Sequence, residues 1–352
     1  MKIKLAILEK DKGYLNRVVT AFGSKYAEEL EIYSFTDQDV ALANLDSARI
    51  DVLLANDGFD INVSQLPKRC SFAYLVDSAD IDSIRDQRAI CKFQRADLIY
   101  KQILIAYSDN VGRIGFKADG DSGRIVAFTS VGGGVGASTM AAACALHFAA
   151  QGKKVLYLNL EKFGAADQFF DGEGQVDMSD VIFALKSKKA SLHIKLKGCV
   201  KQDPRGVCFF SKAKHALDMM ELNTEEILRL LKEINATGEY DYIVMDLDFS
   251  LSKDQLEVYR QAHGLVLVGN GSAVSNEKTA RAFEALTTLE QNADVPLTGR
   301  TSFLYNRVSS KNGQTIDAPG LRVLGGAPVY ADASMDRLLA QLQALDVFDK
   351  IF

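Results

Sequence analysis

The chain has 352 residues, 47% hydrophobic and 25% charged, with a formal net charge of −5. That length suits two domains or more, and the mildly acidic balance excludes a general attraction for polyanions such as random duplex DNA. Five cysteines without a C-x-x-C pair and four scattered histidines offer no zinc or iron–sulfur spacing, and no apolar stretch reaches the roughly 18 residues needed to span a bilayer.

Residues 3–8, 51–55, 72–76 and 97–100 are short apolar runs separated by helix-like segments, an alternation that predicts a parallel α/β sheet. Residues 1–4 lead into a strand rather than a signal peptide, so the expected location is cytoplasmic. Glu9, Lys10 and Asp11 follow the first run, Asn56 and Asp57 the second, and Lys101 the last. This spacing resembles a response-regulator receiver domain, with Asn56 at the phosphoacceptor aspartate and Lys101 at the family's lysine. The resemblance implies a flavodoxin-like fold without its acceptor, a docking or localising module rather than a phospho-switch. Lys10 in the acidic pair also weakens Mg²⁺ binding, because a hard cation needs convergent carboxylates. A register one residue later makes Asp57 the acceptor, although alternation along a strand aims that side chain elsewhere. Residues 108–123, rich in Gly, Asp, Ser and Lys, read as a linker, giving expected domains of 1–107 and 124–352.

After the linker, residues 124–128 read as a buried strand, glycines follow at once, and residues 140–150 are a helix-forming run ending at Gly152. Gly132, Gly133, Gly134 and Gly136 let backbone N–H groups converge on an anion at a helix N-terminus, and the Ser138 hydroxyl can reach Mg²⁺. The strict pattern G-x-x-x-x-G-K-[ST] fails twice, with Val131 at the first glycine and Ala137 at the lysine. The segment resembles the deviant phosphate loop of the ParA/MinD partition ATPases, whose K-G-G-x-G-K-[ST] aligns with Gly132, Gly133, Gly134, Val135, Gly136, Ala137 and Ser138, followed by Thr139. Both lysines are gone, including the one that crosses a nucleotide-sandwich dimer in that family.

Further segments follow in the family's order. Residues 153–161 look like its second strand, with Asn159 and Glu161 in place of two aspartates and Glu161 as the candidate catalytic acid. Lys162, beside it, is a possible substitute phosphate partner or a solvent-facing lysine. The region 171–235 has helix-like stretches at 177–188 and 224–234 and no assignable motif. Residues 240–246 form an apolar run ending in Asp246, which can hold Mg²⁺ through water. Residues 264–268 and 302–307 read as two more parallel strands, the second ending in Asn306 and Arg307, which resemble the family's adenine-contacting position. The last strand is expected at 327–330, with Pro328 beside the base. Residues 186–205 carry a basic run, Lys186, Lys188, Lys189, Lys195, Lys197, Lys201 and Arg205, which suits a solvated face or a surface for nucleic acid, anionic lipid or an acidic partner. Residues 335–352 have apolar positions at helical spacing but only Arg337 and Lys350 as bases, which suits packing on the body better than membrane binding.

A charge-assisted hydrogen bond is worth about 1.5–3 kcal/mol, so losing the loop lysine weakens nucleotide binding roughly ten- to a hundredfold. A cation delivered in trans is worth about 10³–10⁵ in rate, so slow hydrolysis is expected. A receiver without its acceptor joined to a partition-type ATPase without loop lysines is similar to the TadZ/CpaE family of tight-adherence pilus assembly proteins. The resemblance implies an ATP- and Mg²⁺-bound homodimer, and a receiver-like domain that directs the protein to a cell pole and recruits pilus proteins there. It leaves three rivals: an active partition ATPase on DNA or cargo, a receiver phosphorylated on Asp57, and a nucleotide-free scaffold.

Overall fold

The computed structural model describes residues 2–110, 123–187, 191–291, 296–309 and 313–352, and the chain divides into two compact units. The first comprises Met1–Gly115 and, unexpectedly, Lys186–Cys199. Its strands and helices run β1 (Ile3–Leu8), α1 (Lys12–Lys25), β2 (Leu30–Phe35), α2 (Gln38–Ser47), β3 (Val52–Asn56), β4 (Ser71–Val76), β5 (Ser83–Ile84), β6 (Gln87–Cys91) and α3 (Ala96–Ser108). The sheet order is β2-β1-β3-β4-β6-β5, parallel except for the β5–β6 hairpin. Period-two alternation sends Ile3, Leu5 and Ile7 to one face, with Phe22 and Ile103, and Ala6 and Leu8 to the other, with Ala41 and Leu45.

Residues 97–100, expected as a strand, are the first turn of α3, because Ile99, Ile103 and Tyr107 recur at helical spacing and are buried along one stripe. The strand of that edge is β6, whose apolar part is only three residues long and whose first residues are polar. Ser108 still belongs to α3, and residues 111–122 of the expected linker lie outside the described residues.

The second unit comprises Phe116–Leu185 and Val200–Phe352. It opens with β7 (Arg124–Thr129), α4 (Ala137–Ala150), β8 (Val155–Asn159) and α5 (Met178–Lys186), which reaches the boundary between the units. Helix α6 (Leu192–Cys199) then belongs to the first unit. The second unit resumes with β9 (Lys201–Gln202), β10 (Val207–Phe209), α7 (Ala216–Met220), α8 (Thr224–Ala236), β11 (Tyr242–Asp246), α9 (Lys253–Tyr259), β12 (Gly264–Gly269), α10 (Ala273–Gln291), β13 (Thr301–Val308), β14 (Arg322–Pro328) and α11 (Met335–Leu342). The sheet order is β14-β13-β12-β7-β11-β8-β10-β9, parallel except at β9. Helix α4 is apolar all round, with Met140 to Phe148 buried, and lies on β7, β8 and β11. Strand β7 sits between β11 and β12, and the crevice at the carboxyl ends of such strands is where doubly wound sheets hold ligands.

Two expectations change. The last strand begins at Arg322, not 327, so Pro328 is its exposed final residue. The basic run is not a free basic face. Lys188 and Lys189 lie outside the described residues, Lys201 is buried, and Arg205 is held in a fork by Asp203. Lys195, 1% exposed, pairs with Asp109 at 3.1 Å, and it sits on α6, which completes the first unit against α3. A Cβ on Gly198 would come within 2.5 Å of Ile105 and 3.0 Å of the Lys101 carbonyl, so the two helices touch backbone to side chain there. The C-terminal segment packs inward as its weak basic character suggests, with Leu339, Leu342, Phe348 and Ile351 buried in the core of its unit. Among the described residues no helix is long and apolar enough to cross a membrane.

Candidate functional site

The loop between β7 and α4 turns through two left-handed glycines, Gly134 at φ 76° and Gly136 at φ 86°. Gly136 caps α4, and a Cβ there would sit 2.5 Å from the Asn306 amide, so only glycine lets strand β13 approach the loop. Asn306, buried, donates to the Val135 carbonyl at 2.8 Å, and the Arg307 guanidinium reaches the Gly134 carbonyl at 3.4 Å. Ser130 closes the loop from its other side by donating to the Gly132 carbonyl at 3.0 Å. The inner face is open. A Cβ on Gly132, Gly133 or Gly134 would meet no atom within 4 Å. The first N–H groups of α4, at Ala137, Ser138 and Thr139, have no partner within the helix, which suits an anion at this end.

Beside the loop lies a polar cluster built from β8 and β11. Asp246 is fully buried at the end of β11. Its Oδ2 accepts from the Tyr157 hydroxyl at 2.7 Å and from the Asn159 amide at 3.0 Å, while its Oδ1 has no protein partner. Asn159 also donates to Glu161 Oε2 at 3.3 Å, and the Ser138 hydroxyl donates to the same oxygen at 3.2 Å. A neutral amide thus stands between two carboxylates. Burial, and then the charge of Glu161, push the Asp246 carboxyl well above the usual carboxylate range, and burial likewise pushes up the Tyr157 hydroxyl. The Asn159 side chain also accepts from the Glu161 N–H at 3.0 Å, and a Cβ on Gly164 would lie 2.0 Å from that oxygen, so Gly164 leaves room for the turn.

The structure therefore joins Gly132 to Thr139, Glu161 and Asp246 in one place and ties Asn306 and Arg307 to the loop. Pro328 stands at the same end of the sheet on the edge strand β14, three strands from β7. Lys162 is exposed, and its backbone N–H donates to Asp248. Tyr157 escaped sequence reading, although a tyrosine two residues before Asn159 in an aliphatic strand faces the same side and was a visible signal. No group of three or more His, Cys, Asp or Glu side chains forms a metal cage among the described residues. Mg²⁺ does not need one, since it keeps waters and shares phosphate oxygens with one or two protein groups.

A second polar pocket lies in the first unit. Glu9 is 2% exposed, and its Oε2 accepts from the Asn56 amide at 3.2 Å. Lys92, just after β6, reaches the same oxygen at 3.5 Å and Asp77 at 2.7 Å. Burial opposes the charge on Lys92, but Asp77 and Glu9 outweigh it and hold the ammonium protonated. The lysine of this pocket is thus Lys92, not Lys101, because the strand before it is β6. Lys10 donates to the Gly58 carbonyl at 3.2 Å and lies over the Phe59 ring, while Asp11 is spent capping α1. Asp57 is exposed, and the residue facing Glu9 is Asn56.

Residues 1–108 match the family model described as "TadZ-like, receiver domain". No curated protein matches the chain. Among solved structures, a ParA family ATPase from Chlorobium tepidum is 22% identical, with 64% of this chain and 92% of that one covered and a TM-score of 0.49. The cell division ATPase MinD of Pyrococcus furiosus is 17% identical over 65% of this chain and 100% of its own, with a TM-score of 0.47. A septum site-determining MinD from Pyrococcus horikoshii, in complex with Mg-ADP, is 17% identical over 62% and 94%, with a TM-score of 0.46. The first unit is thus similar to a TadZ-like receiver domain, and it is followed by a second α/β unit with a glycine-rich loop between β7 and α4.

Proposed function

We propose that this chain is an ATP-binding localisation and scaffold factor for tight-adherence pilus assembly, dimeric when nucleotide is bound and slow to hydrolyse it. The observation that carries the reading is the unspent polarity around the loop: three glycines facing open space and a fully buried carboxylate with one oxygen unpartnered. A buried polar atom without a partner costs about 1–3 kcal/mol, which a bound ligand would relieve.

The residues fit Mg-ATP. Backbone N–H groups from Gly132 to Thr139 would hold phosphate, and Ser138 with Asp246 would hold Mg²⁺. The metal would supply neutralisation of phosphate charge. Glu161, which now accepts the Ser138 hydroxyl, is the group placed to orient a water. Gly132 and Ala137 bring no charge to the transferring group, so turnover should fall well below about 1 s⁻¹. Slow turnover would give a long-lived dimer, since nucleotide held between two subunits stabilises that state by mass action. DNA cycling finds little support, because Lys195, Lys201 and Arg205 are buried or paired within the chain.

Light scattering of the purified protein with and without Mg-ATP, beside Ser138→Ala and Asp246→Ala, tests the reading. A dimer that forms with ATP in the wild type and fails in both variants supports it. No change in mass and no heat of ATP binding overturn it in favour of a nucleotide-free scaffold.

A further inference from the structure

Between Tyr305, which pairs with Gly326, and Val308, which pairs with Pro328, strand β13 carries one more residue than β14. This bulge holds Asn306 and Arg307, and Arg307 adopts φ 57°, a left-handed conformation that side-chain-bearing residues rarely take. Bulges re-aim side chains. Here the two residues are sent to adjacent carbonyls of the phosphate loop, Asn306 to Val135 and Arg307 to Gly134.

Asn306 is buried and acts as a pin. Arg307 is exposed, and among the described residues no carboxylate pairs with it and its side chain makes only the long 3.4 Å bond to Gly134. A guanidinium carries five N–H donors in a plane suited to phosphate oxygens, so most of its capacity stays unspent beside the open glycines.

We infer that Arg307 is the phosphate-binding cation of this site: from a bulge on β13 it supplies in the same chain the binding charge that Ala137 lacks, leaves the in-trans charge absent at Gly132 unreplaced, and holds the phosphates rather than the base. The inference rests on the nucleotide reading above. The left-handed residue belongs to the bulge, since a side chain in a regular strand stands perpendicular to one face of the sheet, whereas a bulge turns it aside toward the loop.

Calorimetric titration of the full chain with Mg-ATP, ADP and AMP tests it, using Arg307→Ala, Arg307→Lys and Arg307→Gly. Arg307→Ala should weaken ATP binding about tenfold to a hundredfold, the size of a charge-assisted contact, with a smaller loss for ADP and least for AMP. Arg307→Lys, which keeps a point charge, should recover part of it. Arg307→Gly relieves the left-handed backbone and so should melt no lower than wild type while losing the same ATP affinity, which separates binding from folding. Wild-type ATP affinity in Arg307→Gly, or an equal factor lost for ATP and AMP, overturns the assignment. A wild type that gives no heat with ATP removes the nucleotide reading first and this one with it.

Discussion

Each unit carries a polar pocket at the carboxyl ends of its strands, and the two differ in how far the chain itself satisfies the groups there. In the receiver pocket every charged group has found a partner in the chain: Glu9 takes Asn56 and Lys92, Lys92 also takes Asp77, and Asp11 caps a helix. Around the loop after β7 positions 132 and 137 carry no charge, the Cβ side of Gly132, Gly133 and Gly134 is open, and Asp246 Oδ1 is buried without a hydrogen-bond partner. A pocket that satisfies itself has no use for a ligand. A cavity that leaves polar groups unsatisfied gains stability from one, and that difference separates the first unit from the second.

The largest effect expected is on the sealed side. Lys92→Met strands the buried Glu9 carboxylate, and breaking such a pair costs about 3–5 kcal/mol. Urea unfolding of the full chain measures it, and a loss below 1 kcal/mol by that same yardstick would mean that the pocket is wetter and less self-sufficient than its geometry implies. Asn56→Asp puts a like charge against Glu9 in place of a donor and should cost about 1–3 kcal/mol. It should take no label from acetyl phosphate. Labelling together with recovery of stability in Mg²⁺ would break the contrast, because the receiver would then be one residue from working.

On the open side the expected shift is smaller and of opposite sign. Burial raises the Asp246 carboxyl well above its ordinary value, so the folded chain holds a proton that the unfolded chain releases from about pH 4 upward. Stability without nucleotide therefore falls as pH rises through that interval. Asp246→Asn removes the charge, and it should raise the melting temperature at pH 8 more than at pH 5 while abolishing the stabilisation by Mg-ATP. Thermal scans at the two values decide, and a variant that melts lower than wild type at pH 8 would show that the carboxylate is satisfied in the folded state. The smallest effect concerns cysteine reactivity. Burial pushes the Cys70 thiol up to about 12 and Cys144 well above its usual value, and Cys91 and Cys199 are also buried. Cys208, half-buried, should react first with a thiol reagent, and early modification of Cys70 would mean that the receiver unit opens readily.

Much of the fold was legible because the signals are local. Strand, glycine loop and helix follow one another at 124–150, and the apolar run ending in Asp246 marks its strand unaided. The failures were local ambiguities. The turn at 97–100 is apolar enough for a strand until Ile103 and Tyr107 are counted, and β6 has too few apolar residues to stand out. Misreading that edge moved the pocket's lysine from Lys92 to Lys101.

Pattern alone determined two α/β units and the glycine loop between a strand and a helix, since each is written in short segments, while the absent lysines and phosphoacceptor were read through the resemblance to known families. Tertiary structure decided the rest. It put helix α6 on the receiver's α3, set Tyr157 and Asn159 against Asp246, and brought Asn306 across 171 residues to Val135 with Arg307 beside it. Such contacts depend on how the strands order themselves in the sheet, and strand order is fixed by burying both faces under helices, a condition on the whole unit that no short segment records.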